Sequence, residues 1–382
     1  NAGDGDDTVS LVEGNDTVNL GKGNDNLQNQ YANATVHAGA GDDQIEAIAG
    51  NNVIYGEDGN DTIKLGFGDD YAVGGNGNDN ISTGDGNDYI EGNAGDDIIT
   101  SGAGDDTVLG GDGNDIIQDD SGLNTLDGGE GDDYIIGGSD ADTIFTGTGA
   151  NDNVFAGAGD DTIITDSAGA KLVGASGNDA YKIQNLAGNI TIDDLGIATD
   201  IDTIEFEANK LGSLKLIKDG DNLVISFDGQ TGKVTVQNQF GTDKTSRIEM
   251  LKFGENLLNI TSFILGTTGN DTINGTIDDD TILGDLGHDV IFGGTGNDTI
   301  DGGEGDDVIY GEDGNDTMKG SADNDIIFGG NGDDKLTGNE GNDLLTGGFG
   351  NDTFVVTKPG DIDTSTDFTA GQDKLELTQY NQ

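Results

Sequence analysis

An aspartate returns every nine residues along most of this sequence, and its surroundings return with it. In GGEGDDVIYGEDGNDTMK (302–319) two nine-residue phrases lie end to end, each with glycine at its first and fourth places, aspartate at its sixth and an apolar residue at its eighth. The chemistry such a phrase can do is cation binding through oxygen. A glycine turn exposes backbone carbonyls that no side chain screens, and the carboxylate adds negative charge at short reach. Aspartate rather than glutamate suits a turn in which backbone and ion nearly touch. A single GxGxD reads as a solvated acidic turn; with aspartate in 26 of 30 units in register, the pattern reads as a ladder of binding sites.

With the sixth place as marker, a first block runs from Ala2 to Lys182. Its markers fall at 7, 16, 25 and on in steps of nine to 142, then, after one ten-residue unit (TGTGANDNVF, 146–155), at 152, 161, 170 and 179. Ten more units run without a slip from Gly266 to Val355. The eighth place is apolar in all thirty, from Val9 and Val18 through Ile300 and Ile309 to Phe354, with Ala72 the smallest. A period of nine fits neither helix nor extended strand, and so much glycine opposes a helix. The spacing predicts a six-residue turn plus a three-residue strand, with glycines at positive φ and the middle strand residue pointing inward. Two units then make one coil of a parallel β-solenoid. The fold class expected is all-β: two solenoid blocks of nonapeptide repeats separated by a small β-rich module.

Alternate units face opposite flanks, so the markers fall into columns. In the first block one flank carries Asp7, Asp25, Asp43, Asp61, Asp79, Asp97, Asp115, Asp133 and Asp152, then Ala170; the other carries Asp16, Ala34, Asn52, Asp70, Asp88, Asp106, Asn124, Asp142, Asp161 and Asp179. In the second block the columns are Asp271, Asp289, Asp307, Asp325 and Asp343, and Asp280, Asp298, Asp316, Asp334 and Asp352. All these aspartates except Asp16 are the expected metal ligands. Turns one coil apart stack at about 4.8 Å, so one ion can take oxygens from both. Calcium, which takes six to eight oxygens at roughly 2.3–2.6 Å, fits such a cage. Gaps with aspartate on both sides number eight and four on the flanks of the first block and four on each flank of the second, which predicts about twenty ions. Three of the four lost carboxylates fall on one flank, so the two flanks are expected to bind unequally.

These phrases resemble the nonapeptide GGxGxDxUx of the RTX (repeats in toxin) family, over about 270 residues of the chain. The resemblance implies a right-handed parallel β-roll with calcium held between successive loops on each flank. It also implies a bacterial protein exported by a type I machine, unfolded in the cell and folding outside it. Residues 183–265 differ in kind, with seven basic and twelve acidic residues. SLKLI (213–217) and NLVISF (222–227), parted by KDGD, predict a β-hairpin, and KVTVQNQF (233–240) and SRIEMLKF (246–253) predict further strands. This stretch resembles the haemolysin-type calcium-binding-related module found between RTX blocks. DTSTDFTAGQDKLEL (363–377) resembles the stretch that closes the roll after the last repeat. The expected domains are therefore 1–182, 183–265, 266–355 and a strand cap at 356–382 that begins the type I secretion region.

Composition agrees and excludes. With 15 basic and 75 acidic side chains, a formal charge of −60, the chain would be repelled by nucleic acid and by anionic membranes. Only 32% of residues are apolar, so order has to come from something other than a large core. There is no cysteine for disulfides or thiolate sites, and no apolar run of membrane-spanning length. His37 and His288, the only histidines, both fall in loop places, which excludes HExxH zinc chemistry, and no GxSxG elbow is present. GGNGND (74–79) precedes a short strand rather than a helix, so it predicts no dinucleotide site. Carboxylate pairs such as Asp306–Asp307 are generated by the repeat. The chain opens at Asn1 without methionine or signal-peptide pattern, suggesting a fragment or processed product, and is expected to end at Gln382 short of the export signal. The expectation is a non-catalytic, calcium-loaded region of an extracellular or cell-surface protein, adhesin or surface-layer-like. Its partners would be calcium, the type I machinery, and cell-surface components or further copies of itself. The alternative is the export and folding appendage of a secreted enzyme or toxin.

Overall fold

Short strands between glycine turns are stable only if each finds a partner one coil away, and that is the pairing the chain adopts. The computed structural model describes residues 1–31, 33–196, 200–240, 247–357 and 362–378. It divides into two units, Asn1–Lys215 with Asp221–Leu258, and Leu216–Gly220 with Asn259–Gln382. Among the described residues one short 3₁₀ turn, Ala208–Ser213, is the only helical element.

In the repeat block of the first unit successive strands alternate between two sheets, and each pairs in parallel with the strands one coil before and after it. Ile81 lies opposite Ile63 and Ile99 in one sheet; Ile90 lies opposite Ala72 and Val108 in the other. Parallel neighbours normally need a long crossover. Here the crossover is two turns and a strand of the facing sheet. The ten-residue unit is absorbed without loss of pairing: Tyr134 pairs with Asn153 and Thr143 with Thr162. Its extra residue sits in the turn, where the N–H groups of Ala150 and Asn151 both donate to Asp132 Oδ1 at 3.0 Å.

Most strands are longer than the three residues expected. Thr107–Asp112 has six; its pairing lapses at Gly110 and resumes at Gly111 and Asp112. The turn residues stay stacked on their equivalents in the next coil, so their backbone groups remain in the ladder. The eighth-place residues point inward as expected. All are buried except Val9, which is half-buried, and those of the second block, Ile273 to Phe354, form one core cluster.

The stretch after the first block continues both sheets. Asn189–Ile192 pairs with Lys171–Leu172 and then with Lys233–Val236, all in parallel. Thr203–Phe206 pairs with Ala180–Lys182 and then with Met250–Phe253. Strands Leu214–Asp219 and Asn222–Phe227 stand where the hairpin was expected. The later two are shorter than the sequence suggests, because each ends with its four-residue partner; Ser246 lies outside the described residues. Phe206, Phe227 and Phe253 pack with ring centroids 5.0–6.2 Å apart, a wider core than the isoleucine stack. In the second unit Thr364–Ser365 and Lys374–Leu377 supply the last strand of each sheet, paired with Leu344–Leu345 and Thr353–Val356.

Candidate metal centre

Each expected ligand ends a turn just before its strand, so the parallel register stacks the carboxylates one coil apart; Asp16 instead lies inside strand Asn15–Lys22. The N–H of Asp61 donates to Asp79 Oδ1 at 2.7 Å, that of Asp79 to Asp97 Oδ1 at 2.7 Å and that of Asp97 to Asp115 Oδ1 at 2.8 Å. Such rungs join Asp7, Asp25, Asp43 and Asp61, and continue through Asp133 to Asp152. On the other flank they join Asp70, Asp88 and Asp106, then Asp142, Asp161 and Asp179. In the second block they run unbroken from Asp271 to Asp343 and from Asp280 to Asp352. Of the expected ligands all are buried but Asp7 and Asp271, which are half-buried.

The second carboxylate oxygen is the informative one. For every expected ligand from Asp7 to Asp179, and from Asp289 to Asp334, Oδ2 is buried and has no hydrogen-bond partner among the described residues. It points into the turn: a Cβ on Gly56 would collide with Asp61 Oδ2 and with the carbonyl oxygen of Gly74. The first glycine of the phrase therefore clears room for the carboxylate of the sixth place. Burial pushes Asp61 and Asp97 up to about 7, and Asp142 and Asp325 to about 8, from an ordinary 3.8. The backbone N–H bond opposes the rise, and the neighbouring aspartates one coil away add to it. Buried carboxylates with a free oxygen are costly unless a cation satisfies them. An oxygen-only cradle suits calcium, so the residues present fit that ion.

The exceptions are equally specific. Asn52 and Asn124 keep the rung through Oδ1, which accepts the N–H of Ala34 at 3.1 Å and of Asp106 at 2.8 Å. Their Nδ2 groups donate to the turn carbonyls of Gly50 at 2.7 Å and Gly122 at 3.1 Å. An amide thus consumes the carbonyl that an ion would use. Asp271 and Asp280 differ from the other aspartates, since their Oδ2 atoms accept the N–H and hydroxyl of Thr267 and Thr276 at 2.6–2.9 Å. His37 lies in strand Asn33–Ala40 rather than in a loop, its ring stacked on Tyr55 at 4.8 Å. His288 is in a turn, where Nδ1 accepts the Asp306 N–H at 2.8 Å.

Sequence reasoning missed several carboxylates. Asp119 is buried and accepts hydrogen bonds from Ser101 and, at 2.7 Å, from Asn124. Asp363 and Asp373 extend the rungs of Asp343 and Asp352 into the tail, at 3.4 and 3.2 Å. Asp202 and Glu249 extend that of Asp179, at 2.7 and 2.9 Å. None follows a GxG turn; Asp202 has a D-T-I ending and Asp373 a D-K-L ending, while Asp119, Asp363 and Glu249 carry no repeat-like signal.

Stacked acidic glycine turns on two parallel sheets define a β-solenoid whose interior oxygens call for cations. The model of the RTX calcium-binding nonapeptide repeat (4 copies) matches residues 1–27, 37–72, 73–108, 109–144, 146–180, 263–291, 283–318, 292–327 and 319–354. That of the haemolysin-type calcium binding protein related domain matches residues 222–254. The chain belongs to the RTX family of calcium-binding repeat proteins. No curated protein matches it. Among solved structures it is similar to the extracellular lipase LipA from Serratia marcescens, at 18% identity and a TM-score of 0.18, over 60% of this chain and 34% of the lipase chain. It is similar also to a hyperactive, Ca2+-dependent, β-helical antifreeze protein from an Antarctic bacterium, at 18% identity and a TM-score of 0.21, over 96% of this chain and 86% of that one. No described helix is long and apolar enough to cross a membrane.

Proposed function

We propose that this chain is the structural region of a secreted or cell-surface bacterial protein, a scaffold that folds when it meets extracellular calcium and that performs no catalysis. One observation carries the reading: the repeated buried Oδ2 with no protein donor, at every expected ligand from Asp7 to Asp179 and from Asp289 to Asp334. Calcium between successive turns would supply the missing partner and offset charge that the thin core cannot. About twenty ions, one per gap flanked by two aspartates, would bring −60 to about −20. The same dependence suits type I export, with the chain unfolded where calcium is scarce. The proposed organisation is a roll at 1–182, a capping module at 183–265, a second roll at 266–355 and a closing tail at 356–382.

Circular dichroism in chelator and then in millimolar calcium tests the proposal. The chelated chain should lack β-structure and gain it with calcium, and much less with magnesium, which tolerates crowded carbonyl cages poorly. A fully β-structured chelated form, or equal folding in magnesium, would sink it. Hydrolase assays on protein, ester and polysaccharide substrates should be blank; turnover abolished by one point substitution would overturn the scaffold reading.

A further inference from the structure

Where the nonapeptides of the first block end, its ladder of carboxylates continues. Asp179 N–H donates to Asp202 Oδ1 at 2.7 Å, although Asp202 lies 23 residues on. Asp202 N–H in turn donates to Glu249 Oε2 at 2.9 Å. A third carboxylate enters from the facing sheet, since Asp194 follows strand Asn189–Ile192. Oxygens of Asp179, Asp194 and Asp202 lie within 4.8 Å of one another. All three residues are buried, at 1%, 0% and 2% exposure.

The enclosure is built rather than incidental. Asp194 Oδ1 accepts the Tyr181 hydroxyl at 3.0 Å, and the Tyr181 oxygen accepts the Gly174 N–H at 2.7 Å. That network fixes the carboxylate and leaves its other oxygen over. Asp194 Oδ2, like Asp179 Oδ2, has no hydrogen-bond partner among the described residues. A fully enclosed side chain with an unpartnered oxygen therefore stands in a cluster with two more buried carboxylates.

We propose that Asp179, Asp194 and Asp202 form a calcium site outside the repeat pattern, one that locks the first block to the coils following it. Asp194 and Asp202 stand in no GxGxD phrase, so the site goes beyond the repeat reading. The side-chain donors are oxygens alone, which selects a hard cation of flexible coordination over zinc or copper. Three desolvated carboxylates at this spacing oppose folding unless a positive charge joins them. The competing occupant is a proton shared between Asp194 and Asp202.

Calcium bound per chain, measured by equilibrium dialysis with elemental analysis, decides between them. Asp194→Asn should bind about one ion fewer than the wild type at saturation, with circular dichroism unchanged. An unchanged count in the folded variant overturns the site and leaves a shared proton. If Asp194→Asn fails to fold, the wild-type chain crystallised with terbium gives the answer. An anomalous peak within coordination range of Asp194 Oδ2 supports the site. Filled repeat turns beside an empty triad overturn it.

Discussion

At the scale of residues, one atom separates an aspartate rung from an asparagine rung. Aspartate offers a second oxygen to an ion; asparagine turns an N–H onto the carbonyl the ion would need, as Asn124 does at Gly122. Converting Asn124→Asp should therefore add about two calcium ions per chain, one in each adjoining gap, and Asp97→Asn should remove about two. Ion counts by elemental analysis check both, and unchanged counts would show that backbone carbonyls decide binding. The buried carboxyls also set a pH dependence. A carboxyl raised on folding favours the fold below its unfolded value of 3.8 and opposes it above its raised value, about 8 for Asp142 and Asp325. In chelator, the folded fraction should grow as pH falls from about 8 toward 4. In calcium, protons compete, and affinity should weaken across the same window. Circular dichroism and calcium titrations follow the two trends, and a chelated chain that loses structure on acidification would refute the first. On the outer face some fifth places set an amide against an acid one coil away: Asn114 Nδ2 donates to Asp96 Oδ1 at 3.0 Å and Asn151 Nδ2 to Asp132 Oδ2 at 2.9 Å. The backbone N–H of Asn114, together with its amide, holds Asp96 below the usual carboxylate range, and the Asn151 amide with the Ala150 N–H does the same for Asp132.

A coil holds together through two kinds of stacking. Inside, the eighth-place side chains of the two facing sheets pack together, and Ile300 is wholly buried within a cluster of ten. Ile300→Ala should cost about 2–5 kcal/mol, read as a lower midpoint of denaturant unfolding in calcium; a loss under about 1 kcal/mol would mean the coil draws little from its core. At the turns, backbones approach so closely that side chains are excluded. Gly59 has φ 149° and a Cβ there would strike the carbonyl oxygen of Gly41. Outside, rings align at the coil spacing, with Phe292, Tyr310 and Phe328 stacked at 5.0 Å. The eighteen-residue period that places them was legible from aspartates and apolar residues alone. The longer strands were not, because glycines that read as turn still pair with the coil beside them.

Over the whole molecule, charge is what the proposed calcium dependence rests on. A net charge of −60 opposes compaction by self-repulsion, which bound cations would offset. The two flanks of the first block should then fill unequally. Gaps beside Ala34, Asn52 and Asn124 should stay emptier than those between Asp25 and Asp152. A crystallographic map of bound calcium settles it, and equal occupancy beside Ala34 and Asp97 would end the argument from carboxylate columns.

The sequence by itself determined the period, the inward residue, the two columns and the oxygen-only chemistry, since each depends on spacing that a stacked coil preserves. Tertiary structure alone decided what happens where the period fails. Asp194, Asp202, Asp363 and Asp373 enter the carboxylate ladder at separations of 20 to 23 residues or from the facing sheet. No count along the chain predicts those distances. They follow from strands Thr203–Phe206 and Lys374–Leu377 finding the next open edge of a sheet. Once a strand is in register there, the residue that precedes it is carried to the same place as a repeat aspartate.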